Sequence, residues 1–215
     1  MKKKKIIQPY KAKTHEYLIA LFYYPTAVEL VKPKDKIQES LVKWFLNKKE
    51  HVPNDSYDLP TIGGLGKELG VTTSVINRHL RQLYDDIYEL NQNQPDLFKK
   101  PNELLCHFGF KYQGNCASFS AGLSYLPHVG DSFSFFFIKP IIGASQFWVK
   151  RIYHSFNDDG QRVTIMLSMD FPNSYLDLIR EKAYLRREIS FSELLNSEID
   201  YELQEKLMVL NRDNL

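Results

Sequence analysis

Residues 69–83 read LGVTTSVINRHLRQL, and the organisation of the N-terminal half turns on how this stretch folds. Leu65 and Leu69, four apart, share one helical stripe, and Gly70 supplies the left-handed residue that ends a helix. Thr72 or Thr73 then carries the side-chain oxygen that starts another. From there Val75 or Ile76, Leu80, Leu83 or Tyr84, and Ile87 recur with the 3.6-residue period, which predicts a second helix running to about Leu90. Upstream, Pro60 suits the start of a short helix over Thr61 to Leu69. Gly63, Gly64 and Gly66 each weaken that helix by up to about 1 kcal/mol relative to Ala, so packing through Ile62, Leu65 and Leu69 must hold it. Gly66 fits where a neighbouring helix passes close.

Working outward, KIQESLVKWFLNKK from Lys36 places Ile37, Leu41, Trp44 and Phe45 on one face, an amphipathic helix with Lys on the other. EYLIALFYY, Glu16 to Tyr24, is too uniformly apolar for its period to decide between helix and strand. The first 13 residues hold six Lys and one Pro and read as a basic flexible arm. Downstream, Asn91 to Glu103 has the composition of a linker, and beyond it the period changes. LLCHFGFKYQ, ASFSAGLSYL, DSFSFFFIKP, SQFWVKRIYHSF and QRVTIMLSM alternate as strands, and the NDDG between the last two is a hairpin signal. Phe171 to Glu188 returns to a helix. SFSE at Ser190 to Glu193 has the capping-box form, ahead of a run whose Ile199, Leu203, Leu207 and Leu210 share a stripe. The expected fold is α+β: a basic arm at 1–13, a helical domain at 14–95, a small five-stranded antiparallel, barrel-like domain at 103–170 and C-terminal helices at 171–215.

The run from Leu65 to Leu80 resembles the helix-turn-helix of bacterial DNA-binding proteins, whose usual form is L-A-x-x-L-G-V-S-x-x-T-V-x-R-x-L. The match falls at Leu65, Leu69, Gly70, Val71, the hydroxyl of Thr72, Ile76, Arg78 and Leu80, within residues 61–83. Gly66 stands where the family favours Ala, and Val75 where it favours Thr. The C-terminal half carries no such resemblance. The likeness implies that the second helix enters the major groove of double-stranded DNA and presents Thr73, Ser74, Asn77 and Arg78 to base edges, Asn77 toward adenine and Arg78 toward guanine. It also implies that Thr72, Lys67, His79 and Arg81 meet phosphates. Lys2, Lys3, Lys4 and Lys5 of the arm would add salt-sensitive contacts to the same backbone. Asp85, Asp86 and Glu89 would repel phosphate, but Asp85 lies about 16 Å along the helix from Ser74, clear of the groove.

Composition agrees with such a partner only mildly. The net charge is +2, yet residues 1–83 carry 15 Lys and Arg against 8 Asp and Glu, while 84–215 carry 13 against 18. The basic half thus holds the quoted stretch. No run approaches the roughly 20 apolar residues that span a bilayer, and MKKKKIIQPYKAK lacks the apolar core of a signal peptide. A cytoplasmic protein without a membrane partner is expected. Two Cys without a CxxC pair indicate neither a zinc ribbon nor a disulfide framework.

No catalytic or metal-binding signature appears between 104 and 170, and no cofactor is expected. Cys106 and His107 are neighbours on a strand and so point to opposite faces. His128, Asp131 and His154 are a triad only by coincidence of composition. FSFFFIKP and FWVKRIYH interleave aromatic and basic residues as base-stacking surfaces do, but Phe133, Phe135 and Phe137 share one face and read better as core. The expected function is that of a non-enzymatic DNA-binding protein, used as a sequence-specific transcriptional regulator whose C-terminal half either pairs subunits as a homodimer or recruits a protein partner. Two alternatives use the same helices: an accessory subunit positioning a mobile-element, replication or defence complex on DNA, or a protein-interaction module that never meets nucleic acid.

Overall fold

Lys13 starts the first helix because the Glu16 carboxylate three residues on accepts its backbone N–H at 2.9 Å. A computed structural model describes residues 10–48, 59–158, 160–169 and 174–191. Helix α1 (Thr14–Phe22) settles the undecided apolar run as helical and buries Leu18, Leu21 and Phe22. The single-turn α2 (Pro25–Leu30) follows. In α3 (Lys36–Lys48), Asp35 is the cap: its Oδ1 accepts the N–H groups of Ile37 and Gln38 at 2.9 and 2.8 Å. Leu41, Trp44 and Phe45 are buried along the predicted face.

Helix α4 (Ile62–Glu68) is capped by the Thr61 hydroxyl, which accepts the Gly64 N–H at 3.0 Å. Its end is set by paired backbone bonds, Val71 N–H to Gly66 C=O at 2.9 Å and Gly70 N–H to Lys67 C=O at 3.3 Å, with Gly70 at φ 67°. This is the Schellman arrangement, which satisfies the orphan carbonyls of the last turn and reverses the chain within three residues. Helix α5 (Thr73–Asn93) then runs 21 residues, about 31 Å, with Thr72 at the cap position making no side-chain capping bond. Ile76, Leu80, Leu83 and Ile87 are wholly buried.

The sheet has the order β2-β1-β5-β4-β3. Its strands are β1 (Leu104–Tyr112), β2 (Asn115–Leu123), β3 (Ser132–Ser134), β4 (Gln146–Asn157) and β5 (Gly160–Ser168). Five strands lie where the alternation puts them, but two features depart from an antiparallel barrel. β5 returns between β4 and β1 and pairs with β1 in parallel, while the other three pairings are antiparallel. β2 and β3 are both edges, so the sheet is open. β3 is also much shorter than its Phe-rich run suggests. After Ser134 the chain turns into a 3₁₀ segment (Phe136–Ile138) and a short α6 (Lys139–Ile142) that has Pro140, without an N–H, in its first turn. That turn drives Phe137 against Tyr84, with rings stacked at 4.6 Å.

One apolar core runs from Leu18 through α3, α4 and α5 to Leu167 of β5, so the expected boundary at 95–103 does not separate two cores. Tyr84 spans it, donating its hydroxyl to the Phe137 carbonyl at 2.8 Å. Asn91 does so at the far end of α5, where its amide takes both backbone groups of Ser120 on edge strand β2: Nδ2 donates to the carbonyl at 2.7 Å and Oδ1 accepts the N–H at 2.9 Å. Helix end and sheet edge satisfy each other there. The chain divides into compact units at Asp170/Phe171. The second contains α7 (Ser174–Leu185), with Ile179, Ala183 and Ile189 clustered and Arg187 at φ 60° closing the helix. Residues 1–9 of the basic arm, Lys2 to Lys5 among them, and the capping box with its apolar stripe, except Ser190 and Phe191, fall outside the described residues. No described helix is long and apolar enough to cross a membrane.

Candidate nucleic-acid interface

The leading turn of α5 is polar and open. Thr72, Thr73, Ser74 and Arg78 are exposed, and Asn77 is half-buried, whereas Ile76 and Leu80 on the opposite side are fully enclosed. Gly66 fixes the angle between α4 and α5, because a Cβ there would sit 2.8 Å from the Val71 carbonyl oxygen and 3.7 Å from Ile76 Cγ1. The close passage expected at Gly66 is therefore by the turn backbone first and the second helix next.

Thr73, Ser74 and Arg78 share the outward face, and Lys67, Thr72 and Arg81 are exposed around it. Asn77 points toward this face differently from expectation. Its Oδ1 is enclosed and has no hydrogen-bond partner among the described residues. A bidentate pair with adenine uses that oxygen on the DNA side as acceptor, so it requires the Asn77 amide to turn outward. His79 does not belong to the face at all. It is 2% exposed, with Nδ1 2.8 Å from the Val75 carbonyl oxygen and Nε2 3.0 Å from Asp35 Oδ2. Helical spacing puts His79 between Ile76 and Leu83 on the buried side, and the acidic cap of α3 supplies its partner, so it cannot meet a phosphate. Lys2 to Lys5 lie outside the described residues.

Asp35 thus joins two helices, capping α3 with one oxygen and meeting α5 with the other. The Gln38 N–H bond holds its carboxyl below the usual carboxylate range, with His79 and the Ile37 N–H adding to the effect against some desolvation. The acids expected to trouble a phosphate partner are partly neutralised. Asp86 is salt-bridged to Lys34 and accepts from the buried Gln38 amide at 3.2 Å. Asp85 faces outward with Arg81 Nε at 3.7 Å. Partial burial raises its carboxyl above the ordinary range, Arg81 opposes this and Asp86 adds to it.

Beside α5 lies an open trough of about 580 Å³, walled by Asn77, Arg78, Arg81, Gln82 and Asp85 on one side and Ala12, Thr14 and Tyr17 on the other. The sequence did not point to this second wall, since the apolar run of α1 hid which of its polar residues would stand beside α5.

The sheet holds the chemistry-bearing residues apart. Cys106 is enclosed and burial pushes its thiol up to about 11, while His107 on the opposite face bonds the Ser120 hydroxyl at 2.7 Å. His128 lies 3.7 Å from Asp131, but His154 pairs instead with Gln161. No cluster of three metal-ligating side chains occurs among the described residues. Phe137 is buried, and Phe133 and Phe135 pack on the same core against Phe108 and Phe110 at 5.2 and 5.6 Å. Compared with protein-family models, curated proteins and solved structures, the chain matches none.

Proposed function

We propose that the protein binds double-stranded DNA without catalysing a reaction, placing the N-terminal turns of α5 in the major groove as a sequence-specific regulator does. One observation carries this reading: a 21-residue helix, anchored on one side by fully buried Ile76, Leu80, Leu83 and Ile87, leaves Thr73, Ser74 and Arg78 uncovered at its leading end. A helix about 10–12 Å across matches a groove about 12 Å wide. Ser74 and Arg78 lie one turn apart and address neighbouring base pairs, with Arg78 suited to the N7 and O6 acceptors of guanine. Lys67 and Thr72 flank them toward the phosphates, and the Lys34–Asp86 pair draws one acid away from the face.

Selection of bound duplexes from a random pool by the full chain tests the proposal. The expected result is an enriched motif containing guanine. Failure of any sequence to enrich above the starting pool would remove the sequence-reading role.

A further inference from the structure

The trough beside α5 has two walls, and the base-reading residues occupy only part of one. Tyr17 and Thr14 line the other wall from α1, and Arg81 stands across from them one turn beyond Arg78. Lys11 and Lys13 are exposed on the segment leading into α1. That segment is fixed in place. Tyr10 donates its hydroxyl to both Glu16 oxygens at 2.7 and 2.8 Å, its N–H meets Asn115 Oδ1 at 3.4 Å, and its ring covers Gly143, where a Cβ would sit 2.8 Å from it. Of this segment, Ala12 lines the trough, with the exposed Lys11 and Lys13 as its chain neighbours.

The character of the trough selects its occupant. It is open and lined by hydroxyl, amide and guanidinium groups, unlike the enclosed apolar pockets that take small organic ligands. Arg81 is 70% exposed, and its ion pair with the exposed Asp85 is long, a contact worth little in water and readily exchanged for another anion. A helix seated in a major groove has a sugar–phosphate strand along each side, so on the α1 side a strand must pass where the trough runs.

We propose that the trough between α1 and α5 is a cradle for the sugar–phosphate backbone of duplex DNA, with Arg81 and the Tyr17 hydroxyl on its phosphates. This rests on the DNA reading of α5 and adds α1 to the interface. Among the described residues Asp85 is the one acid lining the trough, and it opposes the bound strand.

The test uses the full chain and two fluorescein-labelled 20-bp duplexes, one enriched by the wild type and one scrambled, titrated from low to moderate salt. Arg81→Gln is expected to weaken both duplexes equally, about 3- to 10-fold, and to flatten the logarithmic salt slope by about 0.9 for each phosphate no longer neutralised. Tyr17→Phe, which keeps the ring packed on Tyr84 at 5.1 Å, gives a smaller uniform loss. Asp85→Asn is expected to tighten both duplexes by about 2- to 5-fold, a direction that loss of structure does not produce. Unchanged affinity and slope in Arg81→Gln and Asp85→Asn, with the wild type still binding, would overturn the cradle and leave the reading of α5 intact. A loss in Arg81→Gln confined to the enriched duplex would reassign Arg81 to base contact and also overturn it. A wild type that binds neither duplex at any salt removes the DNA reading itself, and the cradle with it.

Discussion

Replacing Asn91 by Ala removes the clamp between the end of α5 and the edge of the sheet, and its cost follows from the hydrogen bonds it makes. Asn91 is 1% exposed and Ser120 is buried, so water does not readily replace the missing partners. The substitution strands one buried N–H and one buried carbonyl, previously bonded at 2.9 and 2.7 Å. Each unsatisfied backbone group costs about 1–3 kcal/mol, so the two together cost about 2–6 kcal/mol. For a unit of this size, 1 kcal/mol corresponds to about 2–4 °C in Tm, so a drop of about 10 °C is expected. Thermal melting followed by fluorescence measures it, with Gln92→Ala as control. The Gln92 amide bonds the Ser118 carbonyl at 3.1 Å in an exposed setting, and its loss should cost under about 0.5 kcal/mol. Because helices and sheet share one core, the transition of residues 10–169 should stay single in the Asn91 variant. A loss below about 1 kcal/mol, or separate transitions for the helical and sheet parts, would refute the clamp and the shared core.

Gly70→Ala should destabilise by about 1 kcal/mol, read by thermal melting; nothing lies within 4 Å of the added Cβ, so the cost comes from φ 67° alone, and Gly70→Asn should cost less. Asp35 has a depressed folded-state pKa, so the stability it contributes is present above its ordinary carboxylate range and is lost as pH falls through the folded value. Denaturation midpoints of wild type and Asp35→Asn should accordingly differ above the ordinary carboxylate range and converge as pH falls below it through the folded value. A thiol reagent should titrate one Cys in the native protein: Cys116 is exposed, while Cys106 is enclosed with its thiol pushed up to about 11 and should react only on unfolding.

The helical half was legible because its signals are local. Gly70 and the stripe Ile76, Leu80, Leu83, Ile87 set turn and buried face through spacing alone, and the structure places them so, whereas Thr72 makes no side-chain capping bond and the Thr61 hydroxyl caps the preceding helix instead. Spacing puts His79 on the buried side of the same stripe, but the partner that makes burial of an imidazole acceptable, Asp35, lies 44 residues away in sequence. The strands were legible from alternation, but pairing was not. Nothing in the β5 sequence says that it inserts beside β1 in parallel, and the helical turn after Ser134 follows from Pro140 and from the need to seat Phe137 under Tyr84. The wall formed by Thr14 and Tyr17 was hidden for the same reason, since it exists only where α1 packs beside α5.

The most direct measurement is the equilibrium affinity of Arg78→Ala for an enriched 20-bp duplex and for its scrambled counterpart at physiological salt. Arg78 is exposed, so the variant should melt as the wild type does. Loss of a bidentate guanine contact worth about 1–3 kcal/mol predicts a weakening of roughly 10-fold or more on the enriched duplex and a clearly smaller one on the scrambled duplex. Equal affinity of wild type and Arg78→Ala for the enriched duplex would contradict the assignment of the leading end of α5 to DNA.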